Sequence, residues 1–264
     1  MDPDGRHVVI TGAAGGIGAA LAAAFAAAGA RLTLSDRPGS GVDAVVARLG
    51  ASEHAAVEVD IASEAGNIRL IEAARDRHGE IDLFFANAGV AIGRGPESPE
   101  QEWETAFAVN LHAHRWAARH LLPDWLARGH GYFCSTASAA GLLSQIGSAP
   151  YTLTKHAAVA FAEWLSITYG DRGLSVTCLC PQGVNTAMLR GTGVGDLGSE
   201  VVRAAGAVLE PDEVAAVALD AIRAERFLAL PHPEVHTYVQ RKAADADRWI
   251  AGMRVLQTRI TGHP

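Results

Sequence analysis

The sequence predicts an α/β protein with one doubly wound sheet of about seven parallel strands and helices on both faces. Three observations support this fold class. Short apolar runs rich in β-branched residues alternate with helical segments, and this alternation favours a parallel sheet covered on both sides. The 264 residues are 49% hydrophobic, which is enough for one large core. No linker or shift in composition divides the chain, so we expect a single domain over residues 1–264.

The predicted elements follow one another in a regular order. The first strand, at residues 7–11, precedes a glycine cluster and a helix in which Ile17, Leu21 and Phe25 recur at helical spacing. Alternating or continuous apolar runs predict six more strands, at residues 31–36, 55–60, 81–86, 132–136, 174–180 and 226–230. Helical periodicity predicts further helices at residues 42–49, 68–78, 99–128, 151–169 and 211–224.

Two segments fall outside this alternation. Residues 190–199 are rich in glycine and small residues, so we expect an irregular active-site loop there, within a substrate segment of about residues 187–210. Beyond about residue 231, large apolar residues occur among many charges, and we expect this C-terminal tail to pack in an ordered way.

Composition and charge exclude several classes of protein. The net charge is −7 and no block of Lys and Arg occurs, so the chain lacks the basic surface of a nucleic-acid binder. The three cysteines predict buried apolar residues, and the histidines lack metal-site spacing, so we expect no disulfide framework and no metal. Two uncharged stretches, residues 7–30 and 129–154, are too rich in Gly, Ala and Ser to span a membrane. The start Met-Asp-Pro-Asp lacks the basic region of a secretory signal. Because the cysteines predict buried thiols rather than disulfides, we expect a reducing, cytoplasmic setting.

A glycine-rich turn, Thr11-Gly-Ala-Ala-Gly-Gly-Ile-Gly18, lies between the first strand and the first helix. Such a turn brings backbone N–H groups and a helix N-terminus close to a phosphate. Asp36 ends the second strand, 18 residues after Gly18, near the spacing expected for a carboxylate that binds the adenosine ribose. The pattern predicts a Rossmann-like site that favours NAD, because the carboxylate repels a 2′-phosphate. Arg37 keeps NADP as an alternative, since its guanidinium could pair with that phosphate.

Three residues carry the predicted chemistry. Tyr151 and Lys155 are four residues apart at the start of a predicted helix, so they share one face. A tyrosine has an ordinary pKa of about 10, and we expect the nearby ammonium to lower it by favouring the phenolate. Tyr151 would then exchange a proton with a substrate oxygen as general acid or base, while Ser138 donates a hydrogen bond to that oxygen.

The spacing Thr-Gly-x-x-x-Gly-x-Gly, followed by Ser138, Tyr151 and Lys155, resembles the short-chain dehydrogenase/reductase family in its compact single-domain branch. The resemblance runs from about residue 7 to residue 230. It implies an NAD(P)-dependent oxidoreductase acting on CH–OH groups, and a homotetramer or dimer joined through the long helices. It also implies that Asn110 completes a catalytic tetrad by relaying protons through a water to Lys155. The cofactor contacts it implies are Gly12, Gly16, Ile17, Gly18, Asp36, Asp60, Ile61, Asn87, Ala88, Gly89, Tyr151, Lys155, Val184 and Thr186.

Two positions depart from the family pattern. Ala86 replaces the first Asn of the family's Asn-Asn-Ala-Gly element, and Gln182 stands where Gly is usual in the stretch that holds the nicotinamide carboxamide. The second departure affects the local backbone path on the nicotinamide side of the pocket.

Our leading hypothesis is an NAD-dependent alcohol dehydrogenase or ketone reductase. By resemblance, residues 90–92, 139–150 and 188–189 line the substrate pocket, and they carry no charge, which predicts an apolar secondary alcohol or ketone. The alternatives are an NADP-linked carbonyl reductase and a cofactor-binding regulatory protein without catalysis. The intact set of Ser138, Tyr151 and Lys155 argues against the regulatory protein. A sugar-nucleotide epimerase is disfavoured, because that related branch carries an additional substrate domain.

Overall fold

Seven parallel strands form one sheet in this computed structural model, which describes residues 1–50, 53–190 and 195–262. The strands in chain order are β1 (His7–Thr11), β2 (Arg31–Asp36), β3 (His54–Glu58), β4 (Leu83–Ala86), β5 (Gly131–Thr136), β6 (Leu174–Leu179), β7 (Gly183–Val184), β8 (Val208–Leu209) and β9 (Leu228–Ala229). The large sheet has the order β3-β2-β1-β4-β5-β6-β9, and β7 pairs with β8 in a separate parallel pair. The predicted fold class is therefore confirmed.

Helices cover both faces of the sheet. In the described residues they are α1 (Gly16–Ala27), α2 (Val42–Leu49), α3 (Glu64–His78), α4 (Glu100–Phe107), α5 (Ala113–Arg128), α6 (Ala149–Tyr169), α7 (Ala187–Arg190), α8 (Gly195–Ala205), α9 (Pro211–Arg223), α10 (Glu234–Ala244) and α11 (Ala246–Thr261). Helices α1, α2 and α9 pack on one face, and α3, α5 and α6 pack on the other. No helix among the described residues has both the length and the apolar character needed to cross a bilayer.

Alternation along β1 divides the core into two layers. Val8 and Ile10 contribute to one apolar cluster, and Val9 between them contributes to the other. Phe85 and Phe84 on β4 divide in the same way. All five of these side chains are at most 1% exposed, as expected for a parallel sheet buried on both faces.

The strand order places a crevice at the carboxyl end of the sheet. From β1 the chain runs outward to β2 and β3, and then it returns to β4 on the opposite side of β1. The loops after β1 and β4 consequently leave the sheet in opposite directions and open a cleft between them. Doubly wound folds bind their ligands at this topological switch point.

The prediction of one continuous helix over residues 99–128 is wrong in one detail. The segment is interrupted by a π-helical turn, Ala108–His112, between α4 and α5. Such turns widen the hydrogen-bonding pattern locally and are frequent at functional sites. Hydrophobic periodicity does not reveal a π turn, since it adds one residue without changing the apolar face.

The prediction of an irregular loop over residues 190–199 is also wrong in part. Residues 191–194 lie outside the described residues, but α8 begins at Gly195 and includes Ser199. Val201 of α8 is only 6% exposed, and α8 contacts α11 of the C-terminal tail. Tertiary packing therefore stabilises a helix despite the low helix propensity of glycine. The tail itself forms α10 and α11.

Candidate active site

The glycine turn after β1 lies against the loop after β4. Gly12 has φ +66°, and a Cβ atom there would lie 2.7 Å from the Cα of Ala88. A Cβ on Gly18 would lie 2.0 Å from the carbonyl oxygen of Gly12. Glycine is therefore required at both positions. At residue 12 it allows the close approach of the two loops, and at residue 18 it allows the first turn of α1 to pack against the glycine turn. This exposed backbone at a helix N-terminus is the cradle that a pyrophosphate needs.

Hydrogen bonds connect these two loops and the adjacent strand β5. Thr11 Oγ1 accepts hydrogen bonds from the backbone N–H groups of Asn87 (3.0 Å) and Ala88 (3.1 Å). The Asn87 amide donates to the carbonyl oxygen of Thr11 at 3.0 Å and accepts from Thr136 Oγ1 at 3.0 Å. Asn87 thus fixes the carboxyl ends of β1, β4 and β5 to one another, so its role in this structure is to shape the cofactor cleft.

Asp36 lies at the carboxyl end of β2, beside the glycine turn. Its two carboxylate oxygens accept hydrogen bonds from the backbone N–H groups of Ala14 (2.9 Å) and Arg37 (2.8 Å). A carboxylate offers about four acceptor positions, so two remain for the hydroxyls of a ribose. The neighbouring Arg37 is exposed and also borders the cleft.

The other residues expected to bind the cofactor border the same cavity. Asp60 and Ile61 line it beyond the end of β3, and Asp60 accepts a hydrogen bond from the N–H of Ala62 at 2.9 Å. Val184 and Thr186 line it on the opposite side, where the Thr186 N–H donates to the carbonyl oxygen of Val184 at 2.7 Å. The described lining also includes Gly12, Gly16, Ile17, Asn87, Ala88 and Gly89. Of the expected contacts only Gly18 is absent from that lining, because it lies beneath Gly12.

The start of α6 positions Tyr151. Ser148 caps this helix, because its hydroxyl accepts the N–H of Tyr151 at 3.3 Å, and Pro150 occupies the first turn. Tyr151 therefore lies at the beginning of the helix, where its ring borders the cavity, and Lys155 follows one turn later. The Lys155 Nζ lies 5.6 Å from the centre of the Tyr151 ring, so the ammonium faces the aromatic ring.

Lys155 is almost completely buried, with 3% of its surface exposed. Its Nζ donates to the carbonyl oxygen of Thr136 at 2.9 Å. Burial lowers the pKa of Lys155 from 10.5 to about 8, because the charged form loses its hydration. The lysine is therefore still protonated at neutral pH, and it provides a positive charge close to Tyr151.

The structure reverses the expected direction for Tyr151. Desolvation raises the pKa of its phenol above the ordinary value of 10.0, and a hydrogen bond with Ser138 opposes this only in part. The prediction that Lys155 lowers this pKa is thus wrong for the protein alone, because removal of the phenol from water dominates. The phenol is therefore neutral at pH 7.

Ser138 lies two residues beyond β5, in extended conformation. Its Oγ accepts the N–H of Ala140 at 3.1 Å and donates to the carbonyl oxygen of Pro181 at 3.4 Å, a long hydrogen bond. Ser138 and Tyr151 line the same part of the cavity. The structure therefore brings together the three residues on which the chemical prediction depends.

Asn110 lies in the π turn, completely buried. Its Oδ1 accepts the N–H of Val90 at 2.8 Å, and its Nδ2 donates to the carbonyl oxygen of Val90 at 2.9 Å and to Thr154 Oγ1 at 3.1 Å. A Cβ on Gly89 would approach Lys155 Nζ to 3.3 Å and Asn110 Oδ1 to 3.4 Å. The Asn110 side chain thus holds the loop after β4 beside Lys155, and its role in a proton relay stays a prediction.

Two functional contacts were missed at the level of sequence. The backbone oxygen of Thr136 anchors Lys155, and buried His232 binds the loop after β6. A backbone carbonyl leaves no signal in the side-chain pattern, and the sequence around His232 carries no motif that indicates its hydrogen bonds. No group of three His, Cys, Asp or Glu in the described part of the chain could hold a metal ion. Cys134, Cys178 and Cys180 are free and buried, as expected.

The short chain dehydrogenase family model matches residues 6–194. The chain belongs to the short-chain dehydrogenase family. It is 37% identical over 239 residues to 1-deoxy-11-beta-hydroxypentalenate dehydrogenase of Streptomyces arenae, which covers 86% of this chain and 82% of that protein. It is 32% identical over 217 residues to meso-2,3-butanediol dehydrogenase of Serratia marcescens, with coverages of 81% and 86%.

Solved structures agree with this assignment. A short-chain dehydrogenase/reductase from Burkholderia phymatum in complex with NAD has a TM-score of 0.85 and 29% identity, and the match covers 94% of this chain and 96% of that one. A 3-ketoacyl-(acyl-carrier-protein) reductase from Brucella melitensis complexed with NADH has a TM-score of 0.77 and 25% identity, with coverages of 86% and 95%. This short-chain dehydrogenase is thus an oxidoreductase with a Rossmann-like nucleotide-binding fold.

The buried ammonium predicts a specific dependence of stability on pH. The folded state holds Lys155 at a pKa of about 8, whereas the unfolded chain has the ordinary value of 10.5. Between these values the unfolded state binds more protons, so raising the pH stabilises the fold. We expect the unfolding free energy of the wild type, relative to Lys155→Met, to rise by about 1.5 kcal/mol from pH 8 to pH 9.5.

Urea denaturation at several pH values measures this difference. The matched control is Lys242→Met, which removes the other lysine of the chain. Burial also lowers the pKa of Lys242, but this side chain is only partly buried, so we expect a smaller change. A difference between wild type and Lys155→Met that stays constant with pH would contradict the prediction.

Proposed function

We propose that this protein is an NAD-dependent oxidoreductase that transfers a hydride between the nicotinamide and an apolar secondary alcohol or ketone, with Tyr151 as general acid and base. One observation carries the proposal: Tyr151, Lys155 and Ser138 line the same cavity of about 670 Å³ as Asp36 and the glycine turn. The two similar proteins described above are dehydrogenases, and the two similar structures contain NAD or NADH. The cytoplasmic location stays a prediction.

The chain's residues fit a dinucleotide. Backbone without side chains at Gly12 and Gly16 leaves room for phosphates at the start of α1, and Asp36 retains free acceptor positions for a ribose. When bound, the cofactor supplies the hydride acceptor or donor, and the protein supplies placement and electrostatics.

Tyr151 and its neighbours handle the proton. In the reducing direction the neutral phenol donates its proton to the substrate oxygen, while the Ser138 hydroxyl donates a hydrogen bond to the same atom. The Lys155 ammonium then stabilises the phenolate form of Tyr151 that remains after this transfer. In the oxidising direction the phenolate accepts the alcohol proton, which requires the same positive charge nearby.

The substrate side of the cavity is mostly apolar. Val90, Ala91, Val109, Met188, Leu189 and Val202 line it. Lys155 is the one charged residue among the described lining residues on this side, and the others, Asp36, Arg37 and Asp60, lie at the adenosine end. Because an unpaired charge is costly to desolvate, this lining favours an uncharged substrate.

The first test concerns the chemistry. We expect Tyr151→Phe to lower turnover by roughly 10²–10⁴-fold, because only the transferable proton is lost. The affinity for NAD should stay within a few-fold, since the aromatic ring remains. The assay is oxidation of a panel of hydrophobic secondary alcohols, followed by NADH absorbance, with tryptophan fluorescence for NAD binding.

Tyr169→Phe is the matched control, because Tyr169 ends the same helix far from the cavity. It should keep wild-type turnover. Lys155→Ala should reduce both turnover and NAD affinity. If Tyr151→Phe retained more than a tenth of the activity, the assignment of Tyr151 would be wrong.

The second test concerns the cofactor. We expect NAD to bind more tightly than NADP, and Asp36→Ala to narrow or reverse that preference by weakening NAD binding about 10- to 100-fold. Fluorescence titration with both cofactors measures the ratio. Asp43→Ala is the control, since Asp43 is an exposed acid outside the cavity. Equal or tighter NADP binding by the unmodified protein would refute the NAD assignment and favour a role for Arg37.

We also propose a homo-oligomer, most simply a tetramer, joined through α6. Leu153, Trp164 and Ile167 are 49%, 52% and 78% exposed, and their spacing places them on one face of this helix. Large apolar side chains grouped on one exposed helix face are typical of protein interfaces. Trp164 and Ile167 do not contribute to the core, so covering the sheet does not explain them.

Sedimentation at micromolar protein concentration tests this assembly. The mass of the wild type in solution should be a whole-number multiple, larger than one, of the 27.6 kDa of a single chain. The double variant Trp164→Arg and Ile167→Arg should shift to smaller species with its circular dichroism spectrum preserved, because arginines desolvated at an interface are costly. A wild type that sediments as a single chain would refute the oligomer and leave the catalytic proposal intact.

A further inference from the structure

One buried imidazole joins separate segments of the chain beside the cavity. His232 is 1% exposed and lies between β9 and α10. Its Nδ1 accepts the backbone N–H of Gln182 at 3.1 Å, so the ring proton lies on Nε2. This Nε2 donates to the carbonyl oxygens of Gly183 (3.1 Å) and Ala207 (3.2 Å). Both ring nitrogens are therefore paired with backbone groups that are distant from His232 in the sequence.

The backbone around His232 is restricted by its neighbours. Pro231 precedes it and is buried, and Pro233 follows it and is the N-cap of α10. A proline disfavours the helical conformation of the residue before it, so the backbone choices of His232 are few. The preceding strand β9 belongs to the large sheet, where the Cys180 N–H donates to the carbonyl oxygen of Ala229 at 2.9 Å. The imidazole thus projects from a rigid support at the edge of that sheet.

The loop after β6, which this imidazole holds, borders the reacting end of the cavity. Pro181 directly precedes Gln182, and its carbonyl oxygen accepts the Ser138 hydroxyl at 3.4 Å. Pro181 and Val184 line the cavity together with Ser138 and Tyr151. In the proposed function the hydride is transferred at the carbon whose oxygen Ser138 and Tyr151 bind. This end of the cavity is therefore where the nicotinamide belongs.

The contact with Ala207 closes the part of the chain that forms the substrate side. After β7 the chain forms α7 and α8, and it returns in β8 directly after Ala207. A Cβ on Gly183 would lie 3.0 Å from Cγ1 of Val202, so β7 packs directly against α8. The described cavity-lining residues of this part include Leu189, Ser199 and Val202. His232 thus binds the backbone at both ends of the segment that carries them.

The small β7–β8 pair needs such an additional anchor. Each of its strands has two residues, and the pair is separate from the large sheet. An isolated pair of short strands is at best marginally stable, because its ladder contains few hydrogen bonds. His232 follows β9 of the large sheet and bonds to the residues beside β7 and β8. Its three hydrogen bonds therefore connect the small pair to the large sheet.

We propose that His232 is a positioning residue for the nicotinamide end of the cofactor. The inference rests on the proposed function and extends it to a residue that is not among the described cavity-lining residues. Through Gln182 and Gly183 the imidazole fixes the wall at the reacting end, and through Ala207 it fixes the substrate side relative to that wall. Asp36 and the glycine turn, at the other end, are held by their own hydrogen bonds and close packing. Loss of the imidazole should therefore weaken binding of the nicotinamide half and spare the adenosine half.

Calorimetry with NADH and with ADP-ribose, which lacks the nicotinamide, tests this role. We expect His232→Phe to weaken NADH binding at least tenfold and to change ADP-ribose binding less than threefold. Phenylalanine retains an aromatic ring but forms none of the three hydrogen bonds. His236→Phe is the matched control, because His236 is exposed on α10 and is not among the described lining residues. It should leave both affinities unchanged.

A second variant keeps the test decisive if His232→Phe does not fold. In His232→Asn the side-chain oxygen can still accept the Gln182 N–H, but the amide is too short to reach the carbonyl oxygens of Gly183 and Ala207. We expect NADH binding to weaken about three- to tenfold, with ADP-ribose binding again unchanged. Circular dichroism checks that each variant is folded.

The outcomes separate this inference from the proposed function. Equal weakening of both ligands in a folded variant overturns the inference, because His232 would then support the fold as a whole. Unchanged NADH binding overturns it as well. A wild type that binds neither ligand overturns the proposed function and the inference together. A wild type that binds NADH but oxidises no alcohol of the panel contradicts the proposed reaction alone, and the two affinities still decide the role of His232.

Discussion

The site depends on the close approach of two loops at the centre of the sheet. Gly12 carries no Cβ, so the turn after β1 lies directly against Ala88 in the loop after β4. The next residue, Gly89, leaves the space into which Lys155 Nζ and Asn110 Oδ1 extend. Ala88 and Gly89 therefore lie between the glycine turn and Lys155. A side chain at residue 12 would displace the loop after β4, and both cofactor cleft and lysine environment would change together.

The second constraint is the burial of one ammonium. Of the 22 basic residues in the chain, only Lys155 and Lys242 are lysines, and both donate to backbone carbonyl oxygens. An arginine at residue 155 could not replace the compact Nζ, because its planar guanidinium needs more space and does not lose its proton. Lys242 on α10 holds the carbonyl oxygens of Leu142 and Leu143, a few residues beyond Ser138. The C-terminal tail thus supports the segment that follows Ser138.

Much of this molecule could be predicted from the sequence, and the errors have physical causes. The seven strands of the large sheet leave strong local signals, because each is a short apolar run between turns. The cofactor turn and the Ser138, Tyr151 and Lys155 set were predicted from spacing, and the structure brings them to one cavity. Helix α8 was missed because tertiary packing rather than local pattern stabilises it. The π turn at Ala108–His112 was missed because apolar periodicity does not reveal it. The direction of the Tyr151 pKa shift was wrong, because the sequence shows the neighbouring lysine and not the loss of water.

The distribution of charge along the cavity separates the proposed binding of the cofactor from the proposed binding of the substrate. Asp36, Arg37 and Asp60 line the end of the cavity beside β2 and β3, where all three keep access to solvent. At the other end Lys155 is the one charged residue of the described lining, and its ammonium is already directed to Thr136 and the Tyr151 ring. In the proposed mechanism, a substrate carboxylate placed there would compete for the charge that stabilises the Tyr151 phenolate. Discrimination between substrates therefore has to come from shape and from neutral hydrogen bonds.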